Sequence, residues 1–438
     1  MARRHARVVH DVAAAGAQLR FGPVRDECTA AARPADTTRG GGSVTGVAPG
    51  PWLRACAFLA AAGALLAVVS GAAQLGAAHR TIAALAAPPL AALIAAAWVA
   101  HRRLVPAVLA ASALFAAAAA FPGRATHATF AALALAALLV VGVQSIGGAH
   151  TPWGAWRDYV TLTKPRIMSL LLVTGVCGMI AGARGWPGTQ TAIALTVGLA
   201  LACGGASALN HVIDRDIDPL MGARTQRRPV ASGRVPASRA LEFGLALSAL
   251  SFVLLASAVN LLTAVLALAG NLFYVLVYTR WLKRTTPQNI VIGGAAGAVP
   301  PLVGWSAATG HLGPAAWILF AIVFMWTPPH FWALALLIKD NYANAKVPML
   351  PVVRGERETA RQIVLYSVVL LGVTLLPWAA GGAGPAYVAS ALTLGAAFVW
   401  LAERLRRDIT PRRAALLFHY SLLYLALLFA ALALDLSL

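Results

Sequence analysis

The sequence predicts an all-α polytopic membrane protein with thirteen spanning helices, a set of four followed by a set of nine. Hydrophobic residues make up 59% of the 438 and charged residues 11%, more apolar surface than a water-soluble core can hide. Apolar stretches of about 20 residues, the length that crosses a hydrocarbon core of roughly 30 Å, recur from Leu53 to Leu434. The basic residues lie in short clusters between these stretches, which is the pattern of cytoplasmic loops.

Residues 1–50 are rich in Arg, Ala and Gly and lack an apolar leader core, which predicts a disordered cytoplasmic tail. Four apolar spans follow, at Leu53–Gln74, Thr81–Val99, Leu104–Phe121 and Thr129–Ile146. Their short joints predict an antiparallel four-helix membrane bundle over 51–150. An amphipathic connector with Trp153, Trp156 and Arg157 leads to nine further spans, which begin near Ile167, Thr191, Ala240, Leu261, Ile290, Ala315, Ile363, Ala386 and Ala414. These define a second domain over 157–438.

The basic clusters alternate with the spans. His101-Arg102-Arg103, Arg157 to Arg166, Arg215 to Arg239, Arg280 to Arg284, Lys339 to Arg361 and Arg404 to Arg413 fall on one side, and isolated bases such as Arg80, Arg124 and Arg184 on the other. The expected topology is a multi-pass protein of the cell (inner) membrane, with the N-terminus and charged loops cytoplasmic and the C-terminus outside. The net charge of +20 therefore anchors the chain against lipid, and no nucleic-acid partner is expected. Cys28, Cys56, Cys177 and Cys203 include no CxxC pair and predict neither a disulfide framework nor a zinc site.

One constellation carries chemistry. Asn210, Asp214 and Asp218 recur every four residues at the cytoplasmic end of a span, so on a helix they share one face. Oxygen-bearing side chains stacked at the negative end of a helix dipole repel one another unless a cation is held there. Mg²⁺ suits such a site, because it takes few carboxylates and completes its shell with water and phosphate oxygens. The loop that follows, Met221-Gly222-Ala223-Arg224-Thr225-Gln226-Arg227-Arg228-Pro229, adds guanidinium groups that match phosphate oxygens. Carboxylates beside arginines predict a diphosphate site. Asp340, in Lys339-Asp340-Asn341-Tyr342, lies on the same membrane side and is the further acidic candidate.

The Asn-x₃-Asp-x₃-Asp pattern with a second acidic loop about 120 residues later resembles the UbiA-type superfamily of intramembrane prenyltransferases. Thr163-Lys164-Pro165-Arg166, Asn210–Pro229, Tyr278–Gly297, Trp326-Thr327-Pro328-Pro329-His330-Phe331-Trp332 and Pro348–Val352 resemble its haem-farnesylating branch. The resemblance covers roughly Asp158 to Leu434 and implies a nine-helix bundle that transfers farnesyl from farnesyl diphosphate to a vinyl group of haem B, giving haem O. It implies one or two Mg²⁺ ions on Asn210, Asp214, Asp218 and Asp340, with Lys164 and Arg228 also catalytic. Substrate contacts are implied for Arg166, Arg224, Lys283, Tyr278, His330 and Asn341. Asn341 departs from the acidic pair common in that branch, although its carbonyl oxygen remains a candidate ligand. Gly293, Gly294 and Gly297 are expected to allow close packing and room for substrate. His330 is either a haem contact or a hydrogen-bonded residue fixing a proline-distorted helix.

In the first four spans, His79 and His127 are expected at one depth on the outer side, where they either ligate haem or simply sit at the interface. The pattern resembles one half of haem A synthase, and that enzyme or cytochrome oxidase assembly proteins are the implied partners. Two rival functions are prenylation of a quinone precursor or other aromatic acceptor, and solute transport. A transporter should hold its charges near the midplane, whereas these gather at the cytoplasmic helix ends.

Overall fold

The computed structural model describes residues 51–72, 77–100, 104–120, 134–141 and 155–437. Among them the first helices are α1 (Pro51–Ala72), α2 (Ala77–Ala100), α3 (Val105–Ala120) and α4 (134–141). Leu53, Ala57, Ala60 and Ala64 of α1 are buried in one apolar cluster with Leu93 and Ala97 of α2 and Val108 of α3. The expected tail over 1–50, His127 and the side chain of His79 lie outside the described residues.

The short helix α5 (Trp156–Thr163) ends at Lys164, whose backbone is left-handed (φ 51°, ψ 60°). That conformation is costly for a side chain bearing a Cβ and is held only where the surroundings over-determine it. Pro165 then opens α6 (Pro165–Ala183) with its φ pre-set and no orphaned N–H. The chain continues through α7 (Thr189–Ile213), α8 (Ala223–Gln226), α9 (Ala237–Ala258) and α10 (Leu261–Leu272). α10 passes directly into a π-helix over Phe273–Leu282, followed by α11 (Lys283–Thr285). Next come α12 (Asn289–Thr309), α13 (Pro314–Leu337), α14 (Lys339–Asn344), α15 (Leu350–Val353) and α16 (Gly355–Thr374). The last are α17 (Leu376–Ala379), α18 (Pro385–Arg407) and α19 (Pro411–Asp435).

Nine helical segments among the described residues, from Pro165–Ala183 to Pro411–Asp435, are long and apolar enough to cross a membrane. They are not equivalent. The apolar windows of α7, α12 and α13 are 67%, 56% and 61% buried by protein, against 28% for α6, α16 and α18. The first three therefore form the centre of the bundle. The outer helices turn Ile167, Val173, Leu365, Val368, Leu392 and Trp400 outward, a surface that suits lipid and would be an aggregation liability in water.

Without a hydrophobic force between helices in lipid, close backbone approach and polar ties hold the bundle. A Cβ on Gly178 of α6 would meet Pro301 O of α12 at 2.6 Å, and one on Gly304 would strike the Gly175 carbonyl. Asn260 caps α10 by accepting from Thr263 N at 2.9 Å, and its Nδ2 donates to Ser306 O of α12 at 2.8 Å. Asn271 Nδ2 donates to Ala202 O of α7 at 3.0 Å. Trp326 Nε1 of α13 donates to Ser421 O of α19 at 2.8 Å.

Candidate active site

The end of α7, the α5–α6 junction and the segment after the π-helix converge on one polar cluster. Asn210 is in the last turn of α7, which stops at Ile213. Asp214 begins one 3₁₀ turn (Asp214–Asp216) and Asp218 the next (Asp218–Met221). The shared helix face expected for all three thus holds for Asn210 and Asp214, whose Nδ2 and Oδ2 are 2.8 Å apart. It does not extend to Asp218, because beyond Ile213 the chain tightens into 3₁₀ turns, whose period of three breaks the spacing of four. Asn210, Asp214 and Asp218 are 3%, 1% and 0% exposed, and buried polar groups of this kind need partners.

Each partner comes from a different element. Lys164 Nζ donates to Asn210 Oδ1 at 2.8 Å, which is the contact that the strained backbone at the α5–α6 junction serves. Lys283 Nζ, just beyond the π-helix, donates to Asp214 Oδ2 at 2.6 Å. Arg228 NH1 meets Asp218 Oδ1 at 2.6 Å. Burial, reinforced by the Arg228 charge, lowers the Lys164 ammonium to about 7 against the opposing pull of Asp214. Burial likewise pushes the Asp218 carboxyl up, and Arg228 pulls it back.

Some participants were not singled out from sequence. Thr279 accepts from Asn210 Nδ2 at 3.2 Å and donates to Tyr274 O at 2.9 Å. Thr279 and Tyr274 both lie in the π-helix, a distortion frequent at functional sites. The same segment stacks Tyr274 on Tyr278, ring centroids 5.5 Å apart. Gly293 leaves the space Tyr278 occupies, since a Cβ there would enter its ring, and Gly294 does the same for Thr327. Arg284 grips Asp216 with two bonds of 2.6 and 2.7 Å and donates to Ile213 O at 2.8 Å, closing the end of α7. Arg280, Lys283 and Arg284 form one short basic run, and only the fold shows which of them turn inward.

The other sequence-derived candidates are distributed as follows. Asn341 lies against Gly222 of the arginine loop, where a Cβ would meet its Oδ1 at 3.2 Å. Asp340, its neighbour, is exposed, as are Arg166 and Arg224. Tyr342 is buried, and that burial raises its phenol to about 12. His330 lies apart from this cluster. Its Nδ1 shares a 2.6 Å hydrogen bond with Ser421 Oγ, and its ring stacks on Trp326 at 4.3 Å and Phe418 at 4.8 Å.

Asp214 Oδ1 and Asp218 Oδ2 are buried with no hydrogen-bond partner. Asp214 Oδ1 has the Arg284 guanidinium 3.8 Å away, and two anionic oxygens without hydrogen bonds in one cluster are the donor type a hard divalent cation takes. Among the described residues no three His, Cys, Asp or Glu side chains stand close enough to hold a metal by themselves. The fit is therefore to an ion with few protein ligands, which draws the rest of its shell from water and substrate oxygens, as Mg²⁺ does.

Residues 171–432 match the model of the UbiA prenyltransferase family. The chain belongs to that family. It is 54% identical over 283 residues to the protoheme IX farnesyltransferase of Symbiobacterium thermophilum, covering 64% of this chain and 94% of that one. It is 53% identical over 279 residues to the protein of the same name from Roseiflexus sp. strain RS-1, covering 64% of this chain and 52% of that one. The chain thus spans about half the length of the Roseiflexus relative it matches. The fold is shared with digeranylgeranylglyceryl phosphate synthase, at 16% identity and a TM-score of 0.54 over 64% of this chain and 98% of that one. It is shared also with a UbiA homologue from Aeropyrum pernix K1, at 20% identity and a TM-score of 0.51 over 62% and 98%.

Proposed function

We propose that the chain transfers the farnesyl group of farnesyl diphosphate to a vinyl group of haem B, giving haem O. The observation that carries this is the 54% identity to a protoheme IX farnesyltransferase of which the chain covers 94%. The polar cluster supplies the chemistry. Lys164, Lys283 and Arg228 surround the position of an anionic head group, and all three become available to it when their bonds to Asn210, Asp214 and Asp218 are exchanged. Mg²⁺, as one or two ions held by Asp214 and Asp218 with Asn210 and Asp340 as further ligands, would supply Lewis-acid withdrawal of charge from the diphosphate.

The cations neutralise charge that builds on the leaving diphosphate as the allylic C–O bond breaks. A C–C bond then forms between the farnesyl carbon and the vinyl terminus, and water adds to the resulting cation with loss of a proton. The apolar helices and the stacked Tyr274 and Tyr278 screen the allylic cation from bulk water. Arg224 adds a further diphosphate contact, Arg166 and Asn341 complete the substrate site, with the Asn341 carbonyl oxygen a candidate metal ligand, and His330 contacts haem.

The charge alternation supports an inner-membrane location with the N-terminus and site cytoplasmic and the C-terminus outside. Division into a tail over 1–50, a four-helix extension over 51–150 and a transferase domain over 157–438 completes the proposal. Membranes containing the chain, given farnesyl diphosphate and Mg²⁺ with haem B and a quinone precursor in competition, should yield haem O by mass. Prenylation of the quinone precursor in its place would refute the choice of acceptor.

A further inference from the structure

His211 follows Asn210 in the last turn of α7 and is 1% exposed. Neither of its ring nitrogens has a hydrogen-bond partner. Buried imidazoles are normally satisfied, and one left wholly unpaired calls for an explanation. His211 stands one residue after Asn210 and three before Asp214, the residues to which Lys164 and Lys283 donate, and i,i+3 neighbours share a helix face. The only unpaired buried oxygens of the two aspartates, Asp214 Oδ1 and Asp218 Oδ2, belong to that cluster as well. His211 and the two aspartates thus place four buried polar atoms without a hydrogen-bond partner within eight residues at the end of α7.

The carboxylate oxygens suit a hard cation, but the imidazole does not, because Mg²⁺ takes oxygen ligands. An imidazole carries at least one N–H in either tautomer and so can donate to an anionic oxygen. We propose that His211 is a diphosphate-binding residue, its ring N–H donating to the anionic end of the prenyl substrate. The inference rests on the diphosphate reading of the cluster. It adds a directional donor to the three cations, and it explains why an unpaired ring occupies a buried position that a leucine would fill without an unpaired polar atom.

The test uses purified full-length protein in detergent, with thermal-unfolding midpoints measured with and without Mg²⁺ and inorganic diphosphate, alongside steady-state kinetics. His211→Leu should unfold at or above the wild-type midpoint without ligand, since it removes two unpaired polar atoms. Its KM for farnesyl diphosphate should rise about tenfold, roughly the loss of one hydrogen bond to a charged group, with KM for haem B unchanged. His211→Gln, which restores an N–H, should recover most of that loss and regain the midpoint shift produced by Mg²⁺-diphosphate. A lowered midpoint with wild-type KM in His211→Leu would overturn the proposal, as would equal rises in both KM values. A Gln variant no better than Leu would also overturn it, and so would a changed Mg²⁺ half-saturation in place of a changed diphosphate KM. If Mg²⁺-diphosphate fails to shift the wild-type midpoint, the diphosphate reading itself falls.

Discussion

Lys283 and Asp214 form a buried ion pair between the segment that follows the π-helix and the end of α7, Nζ to Oδ2 at 2.6 Å, with side chains 9% and 1% exposed. Burying two charges costs several kcal/mol each before their attraction is counted, so such a pair is weak evidence for stability and stronger evidence for a site. Removing one partner strands the other. Lys283→Met is expected to destabilise the protein by about 3–5 kcal/mol, measured by denaturant unfolding in detergent. The double variant Lys283→Met with Asp214→Asn should recover part of that loss, and strictly additive losses would show that the two side chains are not coupled.

The α6–α12 seam makes an independent prediction. Gly304→Ala places a Cβ on the Gly175 carbonyl, whereas Gly297→Ala meets nothing within 4 Å. Gly304→Ala should cost about 1–3 kcal/mol or more through overpacking, seen as a lowered unfolding midpoint. Gly297→Ala should leave the midpoint near wild type, and the same loss at both positions would contradict the packing described.

Much of this architecture was legible in the sequence because lipid makes stringent demands. Spans of about 20 apolar residues, basic joints and a period of four in Asn210 and Asp214 follow from the bilayer and from helix geometry. What was not legible depends on long-range placement. That Lys164, Lys283 and Arg228 each take one of the three acidic-cluster residues is set by contacts 46, 69 and 10 residues apart. The π-helix that presents Tyr274 and Thr279 has no signal in residue type, and neither has the switch from α-helix to 3₁₀ turns after Ile213. Asp340 and Asn341 show the same limit, since adjacent residues in one loop differ in burial by which side of a short helix each occupies.

Ser421 is the partner that holds His330. Ser421→Ala leaves a buried imidazole nitrogen without its bond, at a cost of about 1–3 kcal/mol. If His330 contacts haem, the variant should also raise KM for haem B more than KM for farnesyl diphosphate. A loss of stability with both KM values unchanged would assign His330 to fixing α13 against α19.

Asn341 abuts Gly222 beside the arginine loop. Asn341→Asp adds a carboxylate on that side and should lower the Mg²⁺ concentration for half-maximal activity. A raised requirement would remove this loop from the metal site.

The central claim is that the carboxylates at the end of α7 serve farnesyl transfer to haem. Its most direct measurement is haem O formation, quantified by mass, in membranes supplied with haem B and farnesyl diphosphate. Wild type with Mg²⁺ should form haem O, while wild type under exhaustive chelation and an inserted, folded Asp214→Asn variant should form none. Undiminished haem O in either of the last two would contradict the account.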